Sequence, residues 1–115
     1  MTIQRLEPGA RLSEAVIHGG LVYLAGHVSD NPAATVQEQT REILAEIDRH
    51  LAAAGTDKSR LLTVSIWLSD IDTFADMNAA WDAWVDRDNL PARATVEARL
   101  ASPDYKVEIA GIAAL

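Results

Sequence analysis

The hydrophobic pattern changes its period near Thr35, and this change constrains the fold more than any other feature. Beyond that point mostly apolar side chains recur every three or four residues, which is the period of one helix face. They are Val36, Thr40, Ile43, Leu44, Ile47 and Leu51. Gly55 follows and is typical of a helix end, because glycine readily adopts the left-handed conformation. We therefore expect a helix from about Thr35 to Gly55.

Short segments on either side of this helix have the composition or alternation of strands. They lie at residues 3–6, 15–18, 21–25, 61–68, 93–100 and 106–113. Gly19-Gly20, between two of these segments, is typical of a tight hairpin. In the fourth segment Val64 and Ile66 lie on one face, whereas Trp67 lies on the other. Six strands are therefore expected.

A second helix is predicted from about Asp72. Its apolar side chains again follow the helical period, at Phe74, Met77, Trp81 and Trp84. An aromatic stripe of this kind is compatible with a cofactor site, but the spacing is also what packing of a helix on a sheet requires. We favour the packing interpretation.

The elements run β-β-β-α-β-α-β-β, which predicts an α+β fold with a mixed six-stranded sheet and two helices on one face. With 115 residues, the chain is expected to form a single domain, 1–115. Trp67 falls on the sheet face that the helices leave uncovered. An uncovered apolar face predicts association with further copies of the chain.

Composition narrows the functional classes. The 10 basic and 17 acidic residues give a formal net charge of -7, which disfavours a nucleic-acid partner. Cysteine is absent, so thiol catalysis and disulfides are excluded, and a cytoplasmic location is expected. No apolar run approaches the ~20 residues of a spanning helix and no signal-peptide pattern opens the sequence, so no membrane association is expected.

The stretch LPARATVEARL, residues 90–100, has polar side chains at every second position of a predicted strand. One face carries Arg93, Thr95, Glu97 and Arg99. Arg93 can form a cross-strand ion pair with Glu108 on the last strand, worth about 0.2 to 1 kcal/mol if exposed. Alternatively, its planar guanidinium can grip a ligand carboxylate through two parallel hydrogen bonds. Glu97 and Arg99 are better explained as solvated or interfacial residues.

Several motifs resemble those of the RidA/YjgF family of reactive-intermediate deaminases. PARATVE at 91–97 and YKVEI at 105–109 carry the resemblance. YLAGH at 23–27, LSD at 68–70 and FADMN at 74–78 follow in the family's order. The likeness covers essentially the whole chain and is greatest for the small YoaB-like branch.

This resemblance implies a chorismate-mutase-like fold and a homotrimer with a barrel-like core and a ligand cleft between neighbouring subunits. In the family's active members the arginine of Pro-Ala-Arg holds a substrate carboxylate and an acidic residue of the last strand positions water. These catalytic roles fall on Arg93 and Glu108. The Thr95 hydroxyl and backbone N–H groups at Ala25 and Gly26 are expected to complete substrate binding.

His27 follows Gly26 and is either a pocket residue or a turn residue. His18, His27 and His50 are too dispersed along the sequence to predict metal ligation, so no metal and no cofactor are expected. The family's active members carry Gly-Pro-Tyr where this chain has RLSEA at 11–15, and Ser-Gly-Gln-Ile-Pro where it has AGHVS at 25–29. The mouth of the cleft is therefore expected to differ.

Three functions remain open. The first is an enamine or imine deaminase that hydrolyses small 2-imino acids to 2-keto acids and ammonia, since an imine carbon is already electrophilic and needs only a held substrate and a directed water. The second is a non-catalytic module that binds a small carboxylate or keto acid in the same clefts. A ribonuclease or translation inhibitor is least favoured, given the acidic charge and the lack of a catalytic histidine pair.

Overall fold

The computed structural model describes residues 2–115. Its strands are β1 Gln4–Pro8, β2 Ser13–His18, β3 Leu21–Leu24, β4 Leu61–Leu68, β5 Ala92–Glu97 and β6 Val107–Ala114. Its α-helices are α1 Val36–Ala54 and α2 Phe74–Trp84. The predicted order of elements is confirmed.

The six strands form one sheet in the order β1-β2-β3-β6-β4-β5. The β4–β5 pair is parallel and the other pairs are antiparallel, so the sheet is mixed as predicted. Gly19 and Gly20 form the β2–β3 turn with positive φ angles of 60° and 79°, the backbone that a tight hairpin requires. Strand β5 lies at one edge, and β6 lies in the interior of the sheet.

Local chemistry defines both ends of α1. The Thr35 hydroxyl accepts a hydrogen bond from the Glu38 N–H at 3.1 Å, and the Glu38 carboxylate accepts one from the Thr35 N–H at 3.4 Å. This reciprocal pair is a capping box. Gly55 ends the helix at φ 90°. The predicted boundaries of this helix are therefore confirmed.

The two sheet faces differ in burial. The face toward the helices is closed, with its side chains packed into the core; examples are Val64, Ile66, Leu68, Val107 and Ile109. On the opposite face Trp67 is only partly buried, and Tyr23 and Val96 are 41% and 50% exposed. The chain therefore has one covered and one uncovered sheet face, as its sequence predicts.

Several boundaries differ from those predicted. Strand β1 ends at Pro8 instead of Leu6, and β2 begins at Ser13 instead of Ala15. Strand β5 ends at Glu97 instead of Leu100, because its partner β4 ends at Leu68, which is the residue paired with Glu97. Helix α2 begins at Phe74 instead of near Asp72, because a 3-10 turn at Ile71–Thr73, capped by Asp70, precedes it. Within residues 2–115, no helix is long and apolar enough to cross a bilayer.

Candidate functional site

Arg93 lies between the edge strand β5 and helix α2. It is paired in register with Val64, whose side chain is buried toward the helices, so Arg93 also points to the helical side of the sheet. Its Nη1 donates a hydrogen bond to Asn78 Oδ1 at 2.8 Å. The guanidinium carbon lies 5.7 Å from the ring centroid of Phe74 and 5.1 Å from that of Trp81. An aromatic pair and one amide oxygen therefore surround this cation.

Burial lowers the pKa of Arg93, and the charge of Asp82 opposes this effect by raising it. A guanidinium nevertheless stays charged at cellular pH. It has five N–H donors, and Asn78 supplies its one hydrogen-bond acceptor within the described part of the chain. Arg93 is thus a partly desolvated cation with unused hydrogen-bond donors, which is a suitable arrangement for binding an anion.

Thr95 lies two residues further along the same face, paired with the buried Ile66. Its Oγ1 is buried and makes no hydrogen bond within residues 2–115. Glu97 accepts a hydrogen bond from the Ile71 N–H at 3.0 Å, so it holds the turn before α2. Arg99 lies beyond β5. The four polar residues of this stretch therefore have different roles. Arg93 and Thr95 point toward the helices, whereas Glu97 caps a turn and Arg99 lies outside the strand.

Glu108 lies on the other face of the sheet. It is paired with Trp67, on the side that the helices leave uncovered. A Cβ built on Gly26 would collide with the Glu108 carboxylate and lie 3.0 Å from its Cδ. Glycine at this position therefore lets the carboxylate rest against the backbone. Of the two backbone N–H groups expected to bind substrate, that of Ala25 already donates to Glu14 O at 3.0 Å. The N–H of Gly26 is therefore the remaining candidate donor.

A single chain does not bring Arg93 and Glu108 together. Strand β4 separates β5 from β6, and the two side chains lie on opposite sheet faces. The alternative of a cross-strand ion pair is therefore wrong. A cleft that uses both residues needs Arg93 from one chain and Glu108 from another.

His27 belongs to a second polar cluster. It forms an isolated bridge with Ile109, whose side chain is buried toward the helices, so the ring points toward α1. Its Nδ1 lies 2.6 Å from Ala25 O, and its Nε2 lies 3.1 Å from Glu14 Oε2. The ring is 7% exposed. His27 is therefore more than a turn residue, but it faces away from Glu108.

His50 lies beside His27, with ring centroids 4.8 Å apart. Its Nδ1 lies 3.1 Å from Glu7 Oε2, and its Nε2 lies 3.7 Å from Glu46 Oε2. Burial lowers the pKa of His50, and the charges of His27 and then Arg49 lower it further, against the weaker raising effects of Glu7 and Glu14. The neutral imidazole is thus favoured near pH 7. His27 and His50 are dispersed along the sequence but adjacent in the fold, so their sequence separation was no argument against a shared site.

Comparison with known proteins identifies the family. The sequence matches the endoribonuclease L-PSP family over residues 2–115. This chain belongs to that family. It is 52% identical over 117 residues to a RutC family protein of Haemophilus influenzae, covering 98% of each chain. It is 47% identical to the RutC family protein YoaB of Escherichia coli, covering 100% of each.

Solved structures agree with this assignment. The crystal structure of NMB1025, a YjgF-family member from Neisseria meningitidis, is 47% identical and superposes with a TM-score of 0.96. The superposition covers 99% of this chain and 95% of that one. The predicted membership of the RidA/YjgF family and the predicted fold are therefore both confirmed.

Sequence reasoning missed several residues of this YjgF-family chain. Asn78 lies between Phe74 and Trp81 at helical spacing, so the sequence could have placed these three side chains on one helix face, but not beside Arg93. The interpretation of that stripe as plain core is only partly right, because Phe74 is 37% exposed and flanks the guanidinium. The carboxylates around His50 had a weaker signal. Only Glu46, four residues earlier on α1, could have been found from spacing.

Proposed function

We propose that this YjgF-family chain is an intersubunit deaminase that hydrolyses small 2-imino acids to 2-keto acids and ammonia. The observation that carries the proposal is the state of Arg93: partly desolvated, charged, bonded to one neutral partner and flanked by two aromatic rings. Such a group suits a small carboxylate with an unsaturated, flat body. The carboxylate takes the free guanidinium donors and the rings contact the planar part.

The reaction needs little further machinery. Water adds to the imine carbon of R–C(=NH)–COO⁻, and loss of ammonia leaves R–C(=O)–COO⁻. Arg93 fixes the carboxylate and thereby the position of the imine carbon. Glu108 from a second copy relays both protons of the attacking water to the nitrogen, one as water adds to the imine carbon and one as ammonia leaves. Thr95, with its unpartnered hydroxyl, is a candidate donor to the substrate.

The trimer is part of the same proposal. Arg93 and Glu108 lie on opposite faces of one sheet, so both act on one substrate only if the uncovered face of one copy meets the edge of another. That face carries Trp67, Tyr23 and Val96, and its partial exposure is a reason for it to be covered. Closed threefold association covers every copy equivalently.

The direct test couples the purified protein to an amino-acid dehydratase that releases a 2-imino acid, and follows ammonia release. The wild-type chain is expected to accelerate release over buffer. Arg93→Ala is expected to lose the acceleration, whereas Arg41→Ala, which removes an exposed arginine on α1, is expected to keep it. No acceleration by the wild type, or full activity of Arg93→Ala, would refute the proposal.

Mixed assemblies test the intersubunit geometry. Arg93→Ala and Glu108→Gln chains are each expected to be inactive alone. After co-refolding in equal amounts, about a quarter of the clefts pair an intact Arg93 with an intact Glu108 from the neighbouring copy. About a quarter of the wild-type activity is therefore expected to return. If both residues served a cleft within one chain, no activity would return.

A non-catalytic carboxylate-binding module is the second candidate. The observation that favours it is at the start of β2, where RLSEA at 11–15 stands in place of the Gly-Pro-Tyr of the family's active members and Glu14 is engaged with His27. A thermal-shift titration with small 2-keto acids distinguishes the two functions: a raised Tm without imine turnover supports the module. An RNA-cleavage assay in parallel addresses the family's endoribonuclease name. The three carboxylates beside the histidine pair disfavour a phosphate backbone there.

A further inference from the structure

Glu14, His27 and His50 converge on one point between the sheet and α1. One potential ligand atom from each residue lies within 4.8 Å of the others. The Glu14 Oε2 atom is central, 3.1 Å from His27 Nε2 and 4.0 Å from His50 Nε2. Both rings are more than nine-tenths buried, at 7% and 2% exposure. These residues come from separate elements, so the sheet order brings them together.

The Nε2 atom of His27 faces the Glu14 carboxylate, which is a hydrogen-bond acceptor. A carbonyl oxygen only accepts, so the contact of Nδ1 with Ala25 O at 2.6 Å places the ring proton on Nδ1. The Nε2 of the neutral ring then has a lone pair directed at the Glu14 carboxylate. Two acceptors at 3.1 Å repel each other unless a proton or a cation lies between them. A backbone carbonyl that holds the outer nitrogen is also the usual support of a metal-bound histidine.

The buried ring nitrogens are not satisfied by the protein alone. Neither His27 Nε2 nor His50 Nδ1 makes a well-aligned hydrogen bond within residues 2–115, although a carboxylate oxygen lies 3.1 Å from each. Buried polar atoms are rarely left in this state.

The local charge favours a divalent cation. Glu7, Glu14 and Glu46 contribute three negative charges around the two rings, and Arg49 contributes one positive charge. Arg49 lies to one side, 2.9 Å from Glu46 and 3.3 Å from Glu7. Asp30 also lines the adjoining cavity, so the carboxylates outnumber the one arginine and the excess of negative charge favours a cation. A cavity of about 450 Å³ adjoins the cluster, so water can reach an open coordination position.

We propose that Glu14, His27 and His50 form a binding site for a divalent transition cation of the zinc class. Two imidazoles and one carboxylate suit zinc, and ligand atoms in a tetrahedral zinc site lie about 3.4 Å apart. The two separations from Glu14, 3.1 and 4.0 Å, bracket this value, and all three ligand atoms lie within 4.8 Å of one another. Glu46 Oε2, 3.7 Å from His50 Nε2, or water supplies the fourth ligand. The site is independent of the deaminase proposal, because Arg93 and Glu108 take no part in it.

The test is calorimetric titration of chelator-treated protein with Zn²⁺, with Mg²⁺ as the comparison ion. The wild-type chain is expected to bind one Zn²⁺ and no Mg²⁺, since magnesium prefers an all-oxygen shell. Glu14→Gln and His50→Gln are expected to bind Zn²⁺ at least about a hundredfold more weakly. His18→Gln is the matched control, because His18 is an exposed histidine on the β2–β3 hairpin outside the cluster, and it is expected to bind as the wild type does.

Co²⁺ substitution gives a second readout. The wild type is expected to show the intense visible absorption of four-coordinate Co²⁺, and Glu14→Gln is expected to lose it. This variant should fold, because the Glu14 side chain is 38% exposed and glutamine has nearly the same shape. Far-UV circular dichroism confirms that each variant is folded. The proposal is overturned if the wild type binds no Zn²⁺, or if folded Glu14→Gln retains full affinity, which would show that Glu14 is not a ligand.

Discussion

The Arg93 region and the Glu14–His27–His50 cluster are two polar sites on the same side of one sheet, but they are built in opposite ways. Arg93, Asn78 and their aromatic neighbours come from α2 and the adjacent strand β5, close together in the sequence. The histidine cluster draws on β2, the segment after β3, and α1. The first site is cationic and the second is anionic. Local sequence motifs reveal a site of the first kind, and only the tertiary fold reveals the second.

Measuring the affinity of a variant of each site for both ligands gives the sharpest test of this comparison. Arg93→Ala is expected to weaken binding of a small 2-keto acid about a hundredfold, because it removes a charged, two-pronged contact, and to leave Zn²⁺ affinity unchanged. His50→Gln is expected to do the reverse. Calorimetry with both ligands on both variants measures the four affinities. Loss of both affinities in either variant would show that the sites are coupled.

Gly26 connects the histidine cluster to Glu108, since its neighbour His27 belongs to the cluster and the Glu108 carboxylate rests against its backbone. Gly26→Ala is expected to displace the Glu108 carboxylate and lower kcat between about tenfold and a hundredfold, with little change in KM. Added to Glu108→Gln, it is expected to cause no further loss. Gly9→Ala is the matched control, because a Cβ there meets only Leu12 O at an ordinary 3.6 Å. Equal losses in both alanine variants would contradict a specific role for Gly26.

Asn78 offers a finer test of the cationic site. Asn78→Asp places a carboxylate 2.8 Å from the Arg93 guanidinium, where it competes with the substrate carboxylate. KM is expected to rise about fivefold, and the rise is expected to shrink in high salt. Steady-state kinetics at two salt concentrations measures both effects. Asn89→Asp, at an exposed asparagine, is expected to change neither; an unchanged KM in Asn78→Asp would argue against substrate binding at Arg93.

Glu7 gives the smallest expected effect, at the rim of the anionic cluster. It has a φ of 46°, in the left-handed region that costs an L-residue about 1 kcal/mol. Glu7→Gly is therefore expected to be about 0.5 to 1 kcal/mol more stable than Glu7→Gln, which loses the same charge but keeps the Cβ. Urea unfolding of the two variants measures the difference. A more stable Glu7→Gln would show that the backbone there is unstrained.

Much of the fold follows from periodicity. The stripe from Val36 to Leu51 predicts α1 and its buried face because helical spacing directly determines which side chains share a face. The alternation around Trp67 likewise predicts which face of β4 is uncovered. The end of β5 was missed because it depends on where its partner stops, which is information outside the strand itself.

In the sites, too, local patterns predict some features and long-range topology determines the others. Arg93 and Thr95 share a face by alternation, as predicted, but their side relative to Glu108 depends on the strand order, which no local pattern contains. The order places β4 between their strands and excludes the cross-strand ion pair that was one of the two alternatives. His50 was missed for a related reason: it meets His27 only because α1 crosses the segment that follows β3. What could not be predicted from the sequence was therefore the long-range topology, and not the chemistry of the residues.

The position of β6 has a consequence for how the molecule is made. This strand follows the other five in the sequence, yet it lies between β3 and β4 and joins the hairpin strands to the parallel pair. During synthesis, the two halves of the sheet have no shared partner until β6 has emerged from the ribosome. Cooperative folding is therefore expected to wait for Val107–Ala114, and nascent chains that lack this strand should expose two open sheet edges to chaperones.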